Sequence, residues 1–249
     1  MQKNKSIVLL SGGLDSVVNL KMALDQTNIA LTLTFDYGQA AAKKELEATT
    51  KISNHFNIPH RIIKLDFLDE ISNALKKENI IDFDSSRIDD LSYTIKTAKS
   101  VWVPNRNGLF LNIAACFADS MNIDEIIVGF NKEEAKTFPD NSLNFIENAN
   151  KSFEFSTLYH PKVNSFTINK IKTEIVKLGI EIDAPFKYIW SCYRNTTKMC
   201  GVCESCGRLK RALKQNNFYE KFIEINIWGF EKWKEFFSKK KKLNMTVLN

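Results

Sequence analysis

Two groups of residues in this chain have the types and spacing to do chemistry. The first is Ser11-Gly12-Gly13-Leu14-Asp15-Ser16, which gathers hydroxyls, a glycine pair and a carboxylate. Before it, Ile7-Val8-Leu9-Leu10 reads as a short buried strand, and after it Val17, Val18, Leu20, Ala23 and Leu24 recur at helical spacing. A strand, a glycine turn and a helix start together make an anion site. The first N–H groups of a helix lack intrahelical partners, and the helix dipole adds positive charge there. Glycine lets the backbone approach a phosphate that a Cβ would hold off. No lysine follows the glycines, so this is not the common Gly-x-x-x-x-Gly-Lys-Ser/Thr loop. The plainer alternative is an ordinary strand–turn–helix capped by Asp15.

The second group is Cys192, Cys200, Cys203 and Cys206, spaced C-x7-C-x2-C-x2-C. Two thiolates of a Cys-x2-Cys fall on one turn, near the sulfur separation of tetrahedral zinc, with bonds of about 2.3 Å. Gly201 and Gly207 relieve the backbone around such an ion. Four thiolates leave no open position, so a zinc held here is structural. An iron–sulfur cluster and a redox Cys-x-x-Cys pair are the rival readings. Cys116, alone in an apolar run, is expected to be a small buried hydrophobe.

The elements that must position these groups alternate along the chain. Ile29 to Phe35 reads as a second buried strand, ending in the polar turn Asp36-Tyr37-Gly38-Gln39, where ligands sit in open parallel sheets. Residues 40–56 read as a helix and 60–65 as a third strand, with His55 and His60 as surface or satisfied histidines. Residues 66–100 are less regular and are placed as a lid. Val101-Trp102-Val103 is expected to be a strand end, followed by the turn Pro104-Asn105-Arg106-Asn107 and an apolar helix from Gly108 to Met121. Arg106 suits a phosphate or carboxylate held in a bidentate fork, or else a surface ion pair. Glu125 to Gly129 is the next strand. The following loop gathers Asn131, Glu133, Glu134, Thr137, Phe138, Pro139 and Asp140: acceptors, an amide and a ring that suit a planar heterocycle, or else a solvated loop. Residues 157–163 read as a strand, and 168–178 as a helix stopped by Gly179. The alternation argues an α/β fold, doubly wound around a mostly parallel sheet.

Composition bounds the rest. The chain has 249 residues, 44% of them apolar, enough for one large α/β domain with a small appendage. The net charge of +6 owes four charges to Lys239-Lys240-Lys241-Lys242, which reads as a solvated tail rather than a nucleic-acid arm. There is no signal-peptide core, and the longest apolar stretch, Leu109 to Ala118, is too short to span a bilayer. A cytoplasmic protein is expected, with clustered cysteines holding metal rather than disulfides.

The two motifs also carry a resemblance. The Ser-Gly-Gly-x-Asp-Ser turn resembles the signature of the PP-loop ATP pyrophosphatases, which cleave ATP between its α and β phosphates. Together with Asp36-Tyr37-Gly38-Gln39, Arg106-Asn107, Tyr159-His160-Pro161, Trp190-Ser191-Cys192-Tyr193 and Cys200-Gly201-Val202-Cys203-Glu204-Ser205-Cys206, it is similar to the QueC family of 7-cyano-7-deazaguanine synthases over roughly residues 5–214. The resemblance implies a Rossmann-like PP-loop domain over 1–190 with a zinc segment over 191–214; residues 215–249, beyond the resemblance, read as an added aromatic helical extension with a basic tail. It implies ATP with Mg²⁺ at Leu10, Ser11, Gly12, Gly13, Leu14, Asp15, Ser16, Tyr37, Gly38 and Gln39. Asp15, Ser16 and Arg106 are the implied catalytic residues. A deazapurine carboxylate is implied at Arg106, Asn107 and the 131–140 loop, with ammonia as nitrogen source. The reaction that the resemblance implies is adenylation to an amide and then to a nitrile, for queuosine-type tRNA modification. The aromatic extension is expected to pack on the body or on a neighbouring subunit, and a homodimer is expected, with neither membrane nor nucleic acid required. Two departures stand out: Ala40-Ala41 occupies the place of Arg-His, and the 133–142 loop keeps only Pro139-Asp140 of an Asp-Tyr-Ser-Gly-Tyr-Pro-Asp-Cys-Arg pattern. The rivals are a PP-loop tRNA thiolase or amidotransferase, and a non-enzymatic zinc-dependent nucleic-acid-binding protein.

Overall fold

A computed structural model describes residues 3–72, 74 and 80–231. Trp233, Phe236, Phe237 and the lysine run at 239–242 lie outside the described residues. Five parallel strands form one sheet in the order β3-β2-β1-β4-β5. They are β1 (Lys5–Leu9), β2 (Asn28–Asp36), β3 (His60–Lys64), β4 (Glu125–Ile127) and β5 (Lys162–Asn164). The expected α/β class is borne out. The chain runs outward from β1 through β2 to β3, then returns to place β4 on the other flank of β1. That reversal opens a crevice at the strand carboxyl ends between β1 and β4.

The period-two geometry of a strand explains why the apolar run builds two cores at once. Ile7 packs with Leu33, Phe35, Leu111 and Ile126 on one face, and Val8 and Leu10 with Val17, Ile52 and Val176 on the other. Helices α1 (Leu14–Gln26), α2 (Ala42–His55) and α7 (Lys172–Glu181) cover the second face, and α5 (Arg106–Met121) and α6 (Leu143–Ser156) the first. Short helices α3 (Phe67–Ile71) and α4 (Leu91–Lys99) lie in the stretch that was irregular by sequence. Helix α8 (Glu204–Gln215) starts just after Cys203 and carries Cys206, α9 (Tyr219–Ile225) follows it, and Phe222, Trp228 and Phe230 join the same core as Val8 and Leu10.

Several local expectations are corrected. Residues 101–103 form no strand. They lead into a turn with Asn105 at φ 53°, and Arg106 is the first residue of α5 rather than a residue before it. The strand at 157–163 shrinks to β5, because the Asp119 carboxylate accepts from the N–H groups of Leu158 and Tyr159 and turns the chain there. Helix α7 starts at Lys172 because Thr167 is tied to Phe130 O and Asn19. It also runs through Gly179, where a Cβ would come within 2.9 Å of Phe186 and 3.0 Å of Val18. Close helix approach, not a C-terminal stop, requires that glycine. Gly207 likewise lies within α8. Cys116 is exposed on α5. His60 is satisfied, its Nε2 being 2.9 Å from Thr34 Oγ1.

Gly129, just past β4, meets the start of α1: an added Cβ would lie 2.6 Å from Ser16 N. Gly129→Ala is therefore expected to push α1 off the sheet edge and destabilise the fold by about 1–3 kcal/mol, the usual cost of overpacking. Urea unfolding measures this, and an unchanged midpoint would show that the contact is not a constraint.

Candidate active site

Above the crevice lies a cavity of about 290 Å³ at the carboxyl ends of β1, β2 and β4. Its floor is the glycine turn. Gly12 takes φ +79° and packs so closely on α2 that a Cβ would sit 2.9 Å from that of Ala48. The turn is braced by Ser16 Oγ, which lies 3.0 Å from Ser11 Oγ, accepts from Ser11 N at 3.2 Å and donates to Gly13 O at 3.1 Å. Gly13 is the residue before α1, and Asp15 caps nothing. Among the described residues the N–H groups of Asp15 and Ser16 have no acceptor, as expected of a helix start aimed at an anion.

The carboxylate of Asp15 is bonded to Lys172 Nζ at the first position of α7, and Lys172 also reaches Glu134 Oε1 at 2.8 Å. Burial pushes the Asp15 pKa up to about 6, against the pull of Lys172. Burial also works against the charge on Lys172, but the two carboxylates outweigh it and raise its pKa. Glu134 is held below the ordinary carboxylate range, because Lys172 outweighs the effect of its burial. Asp15 Oδ1 remains buried and unpartnered, as does Arg106 Nε.

Leu10, Ser11, Gly13, Leu14, Asp15 and Ser16 line the cavity, as do Tyr37, Gln39, Arg106, Asn107, Glu134 and Phe138. Arg106 Nη1 donates to Tyr37 Oη at 3.1 Å, and its guanidinium lies over the Tyr37 and Phe110 rings. Gly12 and Gly38 shape the backbone behind the cavity. Asn131, Glu133, Thr137, Pro139 and Asp140 do not line it. Asn131 is buried and accepts from the N–H groups of Glu133 and Glu134. Glu133 accepts from Arg208, from Arg211 at 2.5 Å and from Lys172 N at 3.1 Å. Asp140 receives Asn107 N at 3.4 Å, and Thr137 donates to Glu134 O at 3.3 Å. The loop thus contributes Glu134 and Phe138 to the cavity and uses its other polar groups to hold itself in place.

The four cysteine sulfurs lie within 4.8 Å of one another, all buried, with Cys200 Sγ and Cys206 Sγ 4.0 Å apart. An ion bonded to four sulfurs at about 2.3 Å needs edges of roughly 3.8 Å, so the donor set fits a tetrahedral metal.

A family model described as "Queuosine biosynthesis protein QueC" matches residues 5–217. The chain belongs to the QueC family. Relatives named 7-cyano-7-deazaguanine synthase include one from Bdellovibrio bacteriovorus, 47% identical over 90% of this chain and 99% of its own length. Another, from Carboxydothermus hydrogenoformans, is 49% identical over 84% of this chain and 97% of its own. A third, from Methanosarcina barkeri, is 43% identical over 88% and 98%. In this QueC family member, Ala40 and Ala41 line the cavity, so that departure from the family pattern falls on the cavity wall itself.

Sequence reasoning missed Lys172 and Glu45. Lys172 had a signal: a lysine in the first turn of a helix opposes the dipole and needs an acidic partner to be stable there. Glu45 sits in an ordinary charged helix face and had none. Lys172→Met is expected to leave Asp15 and Glu134 buried without a counter-charge and to cost about 3–5 kcal/mol near neutral pH. Both carboxylates would then titrate above their unfolded values, so the loss is full above those raised pKa values and shrinks as pH falls towards about 4. Unfolding midpoints near pH 7.5 and near pH 5 test the sign; a loss that does not narrow at the lower pH would refute the pairing.

Proposed function

We propose that this chain uses ATP and ammonia to convert a 7-carboxy-7-deazaguanine to 7-cyano-7-deazaguanine, in queuosine-type tRNA modification. The observation that carries this reading is the single cavity that joins an unpartnered phosphate turn, the Lys172 ammonium and the Arg106 guanidinium. Support comes from the relatives that bear that synthase name. A carboxylate is a poor electrophile. Its oxygen attacks the ATP α-phosphorus, pyrophosphate leaves, and ammonia then displaces AMP to give the primary amide. A second adenylation, on the amide oxygen with loss of one N–H proton, is followed by departure of AMP and of the other proton, leaving the nitrile.

The residues of this chain orient and stabilise. Ser11, Gly12, Gly13 and Ser16, with the free N–H groups of Asp15 and Ser16, cradle the pyrophosphate portion. Lys172 lies beside Asp15 and offsets negative charge that develops on the transferred phosphate. Asp15 Oδ1, the unpartnered oxygen, is the group to take Mg²⁺, which would neutralise phosphate charge. Orientation of two reactants can supply roughly 7–11 kcal/mol of a barrier. We assign zinc to Cys192, Cys200, Cys203 and Cys206, as a structural ion with no open position. Among the described residues no helix is long and apolar enough to cross a membrane, which agrees with a cytoplasmic enzyme. Phe155 and Leu158, 90% and 92% exposed, agree with a homodimer.

Mass spectrometry of the protein with Mg-ATP, ammonium and 7-carboxy-7-deazaguanine is expected to show the nitrile, AMP and pyrophosphate. AMP without nitrile would move the acceptor elsewhere, and no AMP would remove ATP cleavage altogether. Cys203→Ser is expected to lose bound zinc by elemental analysis and to melt at lower temperature. Iron in place of zinc, or a zinc-free variant of equal stability, would overturn the assignment.

A further inference from the structure

The cavity is lined by three carboxylates: Asp15, Glu134 and Glu45. The first two share Lys172, and among the described residues Glu45 makes no ion pair. It lies in the first turns of α2, where its backbone carbonyl approaches Gly12. One of its oxygens is fixed. The Gln39 amide donates to Glu45 Oε2 at 2.8 Å and to Phe35 O at 3.2 Å, while Gln39 Oε1 accepts from Tyr37 N at 2.9 Å. Two backbone partners set which way that amide faces, so Gln39 can only present N–H to Glu45. The other oxygen, Oε1, receives no donor among the described residues. Burial raises the Glu45 pKa, with Gln39 and Arg106 working to keep it ionised.

A carboxylate held in this way at a cavity wall selects its ligand by donor pattern. The 2-aminopyrimidinone edge of a guanine-type base offers two adjacent donors, N1–H and the 2-amino group, matched to an acceptor-only carboxylate. The corresponding edge of adenine offers one donor beside the N1 acceptor, which a carboxylate repels. The acids of the 131–140 loop that might have served are occupied: Glu133 by Arg208, Arg211 and Lys172 N, and Asp140 by Asn107.

We propose that Glu45, oriented by Gln39, is the specificity-determining residue that accepts the N1–H and 2-amino donors of the deazapurine substrate. This rests on the function proposed above and adds to it the atom-level reader of the base. The same residue sets the adenine of ATP apart from the substrate, since adenine cannot satisfy it. Gln39 is its positioning residue.

The test compares 7-carboxy-7-deazaguanine with the same compound lacking its 2-amino group, following AMP release by the wild type and by Glu45→Gln. A hydrogen bond to a charged group carries about 1.5–3 kcal/mol, or roughly a 10- to 150-fold effect. The wild type is expected to prefer the amino compound by that factor in kcat/KM. In Glu45→Gln the KM for the amino compound is expected to rise by a similar factor, with kcat changed less than about threefold. The analogue is expected to lose little, so the preference collapses. A wild type that uses both compounds equally would overturn the proposal whether or not the variant folds. So would a variant that loses kcat on both compounds and keeps the preference. If the wild type releases no AMP with the amino compound, the proposed function itself fails, and this inference with it; AMP release with an unaltered preference sinks this inference alone.

Discussion

The ammonium of Lys172 is buried between Asp15, on the first turn of α1, and Glu134, on the loop after β4. Without it, two buried carboxylates would stand beside the glycine turn with no counter-charge, and each would take up a proton rather than stay charged. With it, two carboxylates share one ammonium, and the cluster is left with a single net negative charge when both are ionised. Residues far apart in sequence are made interdependent, because α1, α7 and the β4 loop must all hold position for three charges to meet.

That position is secured from behind. Glu133 accepts from the first N–H of α7 and from two arginines of α8, while Arg208 also binds Glu204 at the start of α8. Thr97 of α4 donates to Glu204 at 3.3 Å, which ties the irregular stretch before α5 into the same framework. The loop following β4 is therefore divided by role. One glutamate faces the cavity and its neighbour faces the cysteine helix, which is what alternating directions along a tight turn allow.

Much of the fold was legible because its signals are local. The run Ile7-Val8-Leu9-Leu10 needs apolar neighbours on both faces, and the sheet supplies them. The Cys-x2-Cys spacing brings sulfurs together over a loop from Cys200 to Cys203 and over the first turn of α8 from Cys203 to Cys206, and the glycine pair declares its turn by conformation. What escaped reading depends on tertiary approach. Gly179 looks like a helix stop until Phe186 and Val18 are seen against it. Glu133, Glu134 and Asp140 are indistinguishable in sequence, yet only Glu134 lines the cavity, because Arg208, Arg211 and Asn107 are brought to the others by α8 and α5. Glu45 is one charged residue among several on α2, and only the fixed Gln39 amide marks it out. Cys116 shows the reverse error: an apolar run does not say which face of its helix is exposed.

The four cysteines belong to the same apolar cluster as Val8, Leu10 and Val17, with no break between them and the strand that leads into the glycine turn. Any ion held by those thiols is thereby linked to folding by mass action. Well above its dissociation constant, each tenfold change in free ion moves the stability of the native chain by about 1.4 kcal/mol. The cavity, whose wall includes Cys192, inherits that dependence. Loss of an ion held there would therefore be felt at the floor of the cavity as well as at the cysteines.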